Sequence, residues 1–494
     1  MKGFGSIAAV CALACASAQD QPIRQRIAAN LTANALQADV SFLASDLLQG
    51  RATPSPGLDL AAEYIAAQFR RAGLEPLGDD GYFQTGHYSL VTPRLDGFEL
   101  QLENGPDVVR VDRSAVSIDQ PGAVDLNRAS AVKLTAENAA ALAGQLRGKV
   151  VFLEIPNLAG LPASERQKAA TAFFQLRTQA TNAKPALLIS VDERARQIST
   201  APRFREDSAE PLPPMLQIGG GPVRQLIADA KPGPLPMTVT ARIAAPATEP
   251  ALVRNVIGVL RGSDPELKNT YVVVSGHYDH LGVRPGGAGD RIFNGANDDA
   301  SGTASVIEIA NAFAKLGEEP KRSILFMAFF GEERGLLGSQ YYVAHPLVPL
   351  AQTVTDINIE QTGRVDDDQG KHPLQFNATG HDYTTLAVVF AKAGEATGVR
   401  LVKDEARTDQ FFSQSDNLPF ASAGIPSTTL SVTYEFPDAH QPGDEWQKLD
   451  YENMARVDDA IAWGIWMMAD DAQAPQWNLE NARAAQYART RKGN

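Results

Sequence analysis

Four short apolar runs punctuate the C-terminal half of the chain: Tyr271 to Val274 (YVVV), Ser323 to Phe330 (SILFMAFF), Val354 to Ile359 (VTDINI) and Thr428 to Thr433 (TTLSVT). Each is rich in β-branched or aromatic residues and too short for a buried helix, so each reads as a strand. The stretches between them carry helical spacing instead. One apolar face runs from behind Asp299 through Ile307, Ala310 and Ala314. Upstream, Leu60, Ala61, Tyr64, Ile65 and Phe69 fall on one face of a helix expected over Leu58 to Arg71. Strands alternating with helices predict an α/β fold. In such sheets ligands gather at the carboxyl ends of the strands.

The residues just past those ends are chemically distinctive. The first run leads through Ser275-Gly276 to His277, with Asp298 and Asp299 soon after. The second runs into Glu332-Glu333, the third ends at Glu360, and the fourth leads towards His440. If the backbone stays extended past His277, Asp279 lies on the same side and can hold the ring nitrogen that a metal does not use. His280 would then face away and is left out of the ligand set. Taken alone, His277 with Asp298-Asp299 also fits a satisfied strand-end histidine beside a helix cap, and Asp299 is read as that cap. The further carboxylates change the balance. Two metals sharing a bridging carboxylate need two histidines and three acidic ligands, which leaves one acid over. Zinc accepts such a mixed nitrogen and oxygen shell, and a spare carboxylate can serve as general base.

These segments resemble the co-catalytic zinc aminopeptidases, a family that includes bacterial leucyl and Streptomyces-type aminopeptidases, glutamate carboxypeptidase II and glutaminyl cyclases. The resemblance covers about Arg254 to Met468. It rests on HYDHLG at 277–282, NGANDDASGTA at 294–304, FFGEERGLLGS at 329–339, NIEQTG at 358–363, QSDNLPF at 414–420, GIPS at 424–427, and His440 followed by Asp444. It implies a three-layer α/β zinc-exopeptidase domain with a mixed sheet. It also implies two Zn2+ ions, with cobalt or manganese able to fill the same shell. Asp298 would bridge them, His277 and Glu360 would complete one site, and Glu333 and His440 the other. Glu332 would be the general base, Asp279 would orient His277, and the Asp298-Asp299 peptide would be cis. The implied activity is release of N-terminal residues from peptides. A glutamate carboxypeptidase II type of carboxypeptidase, a glutaminyl cyclase and a non-catalytic receptor-like domain are the alternatives. The chain departs from the family at Glu360, where aspartate is usual, at Asn417, often histidine, and at Glu445, often threonine. Tyr434 lies near His440 and is a candidate donor to the oxyanion. Phe411, Phe412 and Phe420 are assigned to core packing ahead of the substrate pocket.

Composition adds location and narrows the partners. The start MKGFGSIAAVCALACASAQ has one lysine, a short apolar stretch and Ala16-Ser17-Ala18, the pattern of a signal peptide cut after residue 18. Export to the periplasm or medium is the expectation, with a lipoprotein through Cys15 as the alternative. Both cysteines, Cys11 and Cys15, lie in that leader. A formal charge of −13 argues against nucleic acid and anionic membrane surfaces as partners. No later run is long and apolar enough for a membrane span. The expected organisation is a leader over 1–18, the N-terminal part of the catalytic domain over 19–95, an insert over 96–245, the metallopeptidase domain over 246–471 and a polar tail over 472–494. Within the insert, Leu146 to Glu154, Ala186 to Val191 and Pro214 to Ile218 read as short strands, which resembles a protease-associated domain of smaller α/β type.

Overall fold

The computed structural model describes residues 22–193, 202–405 and 407–488. The leader with both cysteines, and the last residues of the tail, lie outside that range. Two compact units divide the chain, Met1–Gly86 with Leu252–Asn494 and, separately, His87–Ala251.

The first unit is organised by seven strands of a mixed sheet: β1 (Ala247–Leu260), β2 (Tyr271–His277), β3 (Ser323–Phe329), β4 (Thr353–Ile359), β5 (Gln375–Ala378), β6 (Arg400–Val402) and β7 (Ser427–Ser431). Their order is β6-β5-β7-β4-β2-β3-β1. The four central strands β7, β4, β2 and β3 run parallel, and β1 and β5 are antiparallel to their neighbours β3 and β7. The four apolar runs are thus the parallel centre of the sheet, and their carboxyl ends share one edge.

Alternation along β3 shows how the two faces are covered. Phe326 packs against Phe69 and Phe313 at ring-centroid distances of 6.5 and 6.2 Å. These belong to helices α1 (Pro56–Ala72) and α2 (Gly302–Ala314). Phe329 turns the other way, to Phe420 at 6.2 Å, in a core shared with Leu325, Met327 and Tyr342. Helices on both faces make the three layers. Each of these buried aromatics contributes on the order of 1.5–3 kcal/mol relative to exposure. The helix expected over Leu58 to Arg71 is α1, entered through the Ser55 side chain capping Leu58 N and closed by Gly73 at φ 80°. No helix among the described residues is long and apolar enough to cross a membrane.

The second unit is built on an eight-stranded sheet with its own core. Its centre is a parallel set, Val150–Glu154, Leu187–Asp192 and Met215–Gly219. These are the three short strands expected there.

Candidate metal centre

The carboxyl edge of the central strands brings His277, Asp298, Glu332, Glu333, Glu360, His440 and Tyr434 into the lining of one cavity of about 720 Å³. His277 closes β2 and is 1% exposed. Its Nε2 lies 3.3 Å from Asp298 Oδ1, and the other Asp298 oxygen lies 3.1 Å from His440 Nε2. Asp298 therefore stands between two imidazoles. His440 Nε2 is also 3.2 Å from Glu333 Oε1. Glu360 comes directly after β4 and accepts from Asn358 Nδ2 at 2.8 Å and from the Ser415 hydroxyl.

Asp279 sits behind His277, outside the cavity lining. Its Oδ1 is 3.6 Å and its carbonyl 3.2 Å from His277 Nδ1. The same Oδ1 accepts from the Glu332 backbone N at 3.0 Å, and Oδ2 accepts from Thr53 Oγ1 at 3.0 Å. One carboxylate thereby fixes both an imidazole and the start of the Glu332-Glu333 turn.

His280 corrects the sequence expectation. The strand ends at His277, so the alternation that would turn His280 away no longer operates. Its Nδ1 reaches Glu333 Oε1 at 2.8 Å, and its ring stands edge-on to His440 at 5.6 Å. His280, Asp298 and Glu333 each offer a ligand atom within 4.8 Å of the others.

Asp299 is the helix-capping residue expected. Its Oδ1 accepts from Gly302 N at 2.9 Å and also from Gln361 N at 3.1 Å, tying α2 to the segment after Glu360. The helix start must press directly on β4 for this. A methyl group at Gly302 would lie 2.0 Å from the Ile359 carbonyl oxygen. The Asp298-Asp299 peptide is cis, as the family resemblance implies.

Two supports were not assigned from the sequence. Asp444 accepts backbone hydrogen bonds from Asn297 at 3.0 Å and Asp298 at 3.1 Å. Arg51 is fully buried and donates through Nε to Tyr278 O at 2.8 Å, through Nη1 to Asn294 O at 2.8 Å and Leu43 O, and through Nη2 to Gly295 O at 3.0 Å. It clamps the loops on which His277 and Asp298 sit. The positive φ of Gln49, Gly50 and Arg51, in the SDLLQGR run, marks that turn.

The three phenylalanines separate. Phe412 and Phe420 are core, whereas Phe411 lines the cavity with its ring stacked on Tyr434 at 5.0 Å and 6°. Asn417 has a structural role, donating to Phe412 O at 3.0 Å and accepting from Thr429 Oγ1 at 2.9 Å.

The electrostatics fit a cation. Burial pushes the Glu332 carboxyl well above its usual range, with Glu360, Asp416 and Glu333 adding and His277 opposing. Glu360 is also raised by burial. Burial opposes ionisation of Asp298 too, but hydrogen bonds from His277 and His440 hold it well below the usual range. The same bonds from Asp298 and Glu333 lift His440 to about 10. Four carboxylates face this cavity, and no lysine or arginine does among the described residues. Buried carboxylates at this density require a counter-charge. The donors available, imidazole nitrogen and carboxylate oxygen, are those zinc takes.

Residues 255–464 match the family model described as Peptidase family M28. This segment belongs to peptidase family M28. A probable zinc metalloprotease of Pyrenophora tritici-repentis (strain Pt-1C-BFP) is 28% identical over 263 residues, 46% of this chain and 59% of that protein. Aminopeptidase YwaD of Bacillus subtilis (strain 168) is 26% identical over 230 residues, 45% of this chain and 46% of that protein. The chain thus spans about half the length of these curated relatives it matches. Among solved structures, the aminopeptidase from Aneurinibacillus sp. strain AM-1 shares the fold with a TM-score of 0.54 at 18% identity, over 92% of this chain and 97% of that one. The M28 segment contains His277, Asp298, Glu332, Glu333, Glu360, Tyr434 and His440; Arg51 lies outside it.

Proposed function

We propose that the chain is an exported aminopeptidase working with two zinc ions. The observation that carries this is the convergence of two histidines and four carboxylates from four strand ends on one cavity. His277, Asp298 and Glu360 would hold one ion, and Asp298, Glu333 and His440 the other. When bound, the ions supply Lewis acidity at the substrate carbonyl and acidify water.

The remaining work falls to the chain itself. Glu332, half-buried and fixed through its backbone N by Asp279, is the group left free to take the proton from the attacking water. Its raised proton affinity suits it to hold that proton and then deliver it to the leaving amine. Asp279 keeps the His277 ring oriented from behind. Tyr434 presents a buried phenol in the cavity wall and would donate to the carbonyl oxygen as charge develops. His280 adds an imidazole beside Glu333, holding that carboxylate in place.

The acidic-peptide carboxypeptidase alternative would call for cations in the cavity. Arg364 and Arg407 are committed elsewhere: Arg364 pairs with Asp366 at 2.8 Å and Asp438 at 2.9 Å, and Arg407 with Asp368 at 2.6 Å. The signal-peptide pattern of residues 1–18 supports export.

The test is a panel of aminoacyl and N-blocked arylamides assayed with and without chelator. Cleavage of the free-amino substrates, lost on chelation and restored by zinc, is expected. Cleavage of blocked substrates only, or activity indifferent to chelation, contradicts the proposal.

A further inference from the structure

The cavity has a wall that the metal centre does not use. The chain runs on from the end of β7 at Ser431 through Val432, Thr433 and Tyr434, and Thr429, Ser431 and Thr433 line the cavity while Leu430 and Val432 are absent from its lining. The result is a row of hydroxyls where a pocket for an aliphatic side chain would carry leucine or valine.

Those hydroxyls are not all spent on the protein. Thr429 Oγ1 donates to Asn417 Oδ1 at 2.9 Å and accepts from Asn358 Nδ2 at 3.1 Å. Ser431 and Thr433 are 3% and 1% exposed, and neither hydroxyl has a hydrogen-bond partner. Gln361, also in the lining, leaves its Oε1 unpartnered as well. Buried polar atoms are paired as a rule, so three orphans around one cavity point to a partner that arrives with the ligand. The charged residues of the lining are all metal-centre residues, and no arginine or lysine joins them among the described residues. The rest of the wall is neutral: hydroxyls, the Gln361 amide, Leu336 and the stacked Phe411 and Tyr434 rings.

Resting on the aminopeptidase proposal, we infer that the pocket selects an N-terminal residue with an uncharged hydrogen-bonding side chain, a hydroxyl or carboxamide, over the aliphatic residue of the same shape. Ser431, Thr433 and Gln361 are the specificity-determining residues. A threonine or asparagine side chain supplies the missing partners. Valine or leucine fills the same space and leaves them unpaired, which is the situation in which a site discriminates most strongly.

The experiment uses the full chain loaded with zinc and two isosteric pairs of aminoacyl arylamides, threonine against valine and asparagine against leucine. Thermal shifts with the four free amino acids give a binding readout independent of turnover. The polar member of each pair is expected to lead in kcat/KM by roughly tenfold or more. In the double variant Ser431→Ala, Thr433→Val that ratio collapses towards one through loss on the polar member, and the larger shifts with threonine and asparagine disappear. Valine and leucine substrates equal or better in the wild type, with the ratio unmoved in the variant, overturn the inference and leave the aminopeptidase proposal standing. Should no free-amino substrate be cleaved, that proposal fails. The thermal shifts then decide the pocket: retained preference for the polar amino acids, abolished in the variant, upholds it, and no preference overturns it.

Discussion

Arg51 and Tyr278 are joined by a 2.8 Å hydrogen bond from a fully buried guanidinium to the carbonyl next to His277. The same side chain holds Asn294 and Gly295 just ahead of Asp298, so one residue from outside the M28 segment braces both segments that carry the candidate ligands. Burial lowers its pKa to about 10, against the pull of Asp279, Asp299, Asp444 and Asp298. It is charged at neutral pH and offsets part of the carboxylate cluster.

Arg51→Met removes a buried cation and leaves four carbonyls without their donor. It is expected to destabilise the chain by roughly 3–5 kcal/mol in denaturant unfolding. Arg51→Lys restores the charge without the planar fork and should recover only part of the loss. A change within experimental scatter for Arg51→Met contradicts the bracing role.

Asp444 supports the proposed metal centre through the backbone of Asn297 and Asp298. A carboxylate accepts all these bonds, whereas an asparagine must turn its amide donor towards a backbone donor. Asp444→Asn should weaken zinc binding by about 10- to 100-fold, measured by competition with a chelating dye. Unaltered affinity counts against Asp444 as the support of Asp298.

Asp458 offers a test away from the metal. Complete burial pushes its carboxyl up from 3.8 to about 8, with the Ser305 hydroxyl opposing at 3.0 Å and Glu308 adding. A raised pKa in the fold means that the folded chain holds the proton more tightly than the unfolded one. This contribution to stability is full below about pH 4 and is lost as pH rises to about 8. Asp458→Asn stays neutral throughout, so its stability advantage should open across that window and reach on the order of a few kcal/mol. Urea unfolding at about pH 5 and about pH 8.5 reads it; an equal gap at both values contradicts the assignment.

The carboxyl-edge residues were legible because the signals were local: apolar runs of strand length, each closed by a metal-ligating or acidic residue. His277, Glu332, Glu333 and Glu360 fit that pattern. His280 did not, because the alternation rule holds only while the backbone stays extended, and β2 ends at His277, before it. Arg51 was hidden for a different reason. Its partners are main-chain carbonyls more than two hundred residues away for Tyr278, Asn294 and Gly295, and a carbonyl leaves no mark in the residue types. Phe411 diverged from Phe412 because neighbours in a short helical turn, Thr408–Phe411 and the residue after it, point to different sides.

On the proposed function, Glu332 carries the proton in a dinuclear zinc site that it does not itself hold together. Bound zinc and turnover measured on the same preparations of wild type and Glu332→Gln test it most directly. Two zinc ions per chain in both proteins, with turnover reduced by about a hundredfold or more in the variant, is the expected result. Turnover that survives the substitution, or zinc lost along with it, contradicts the account.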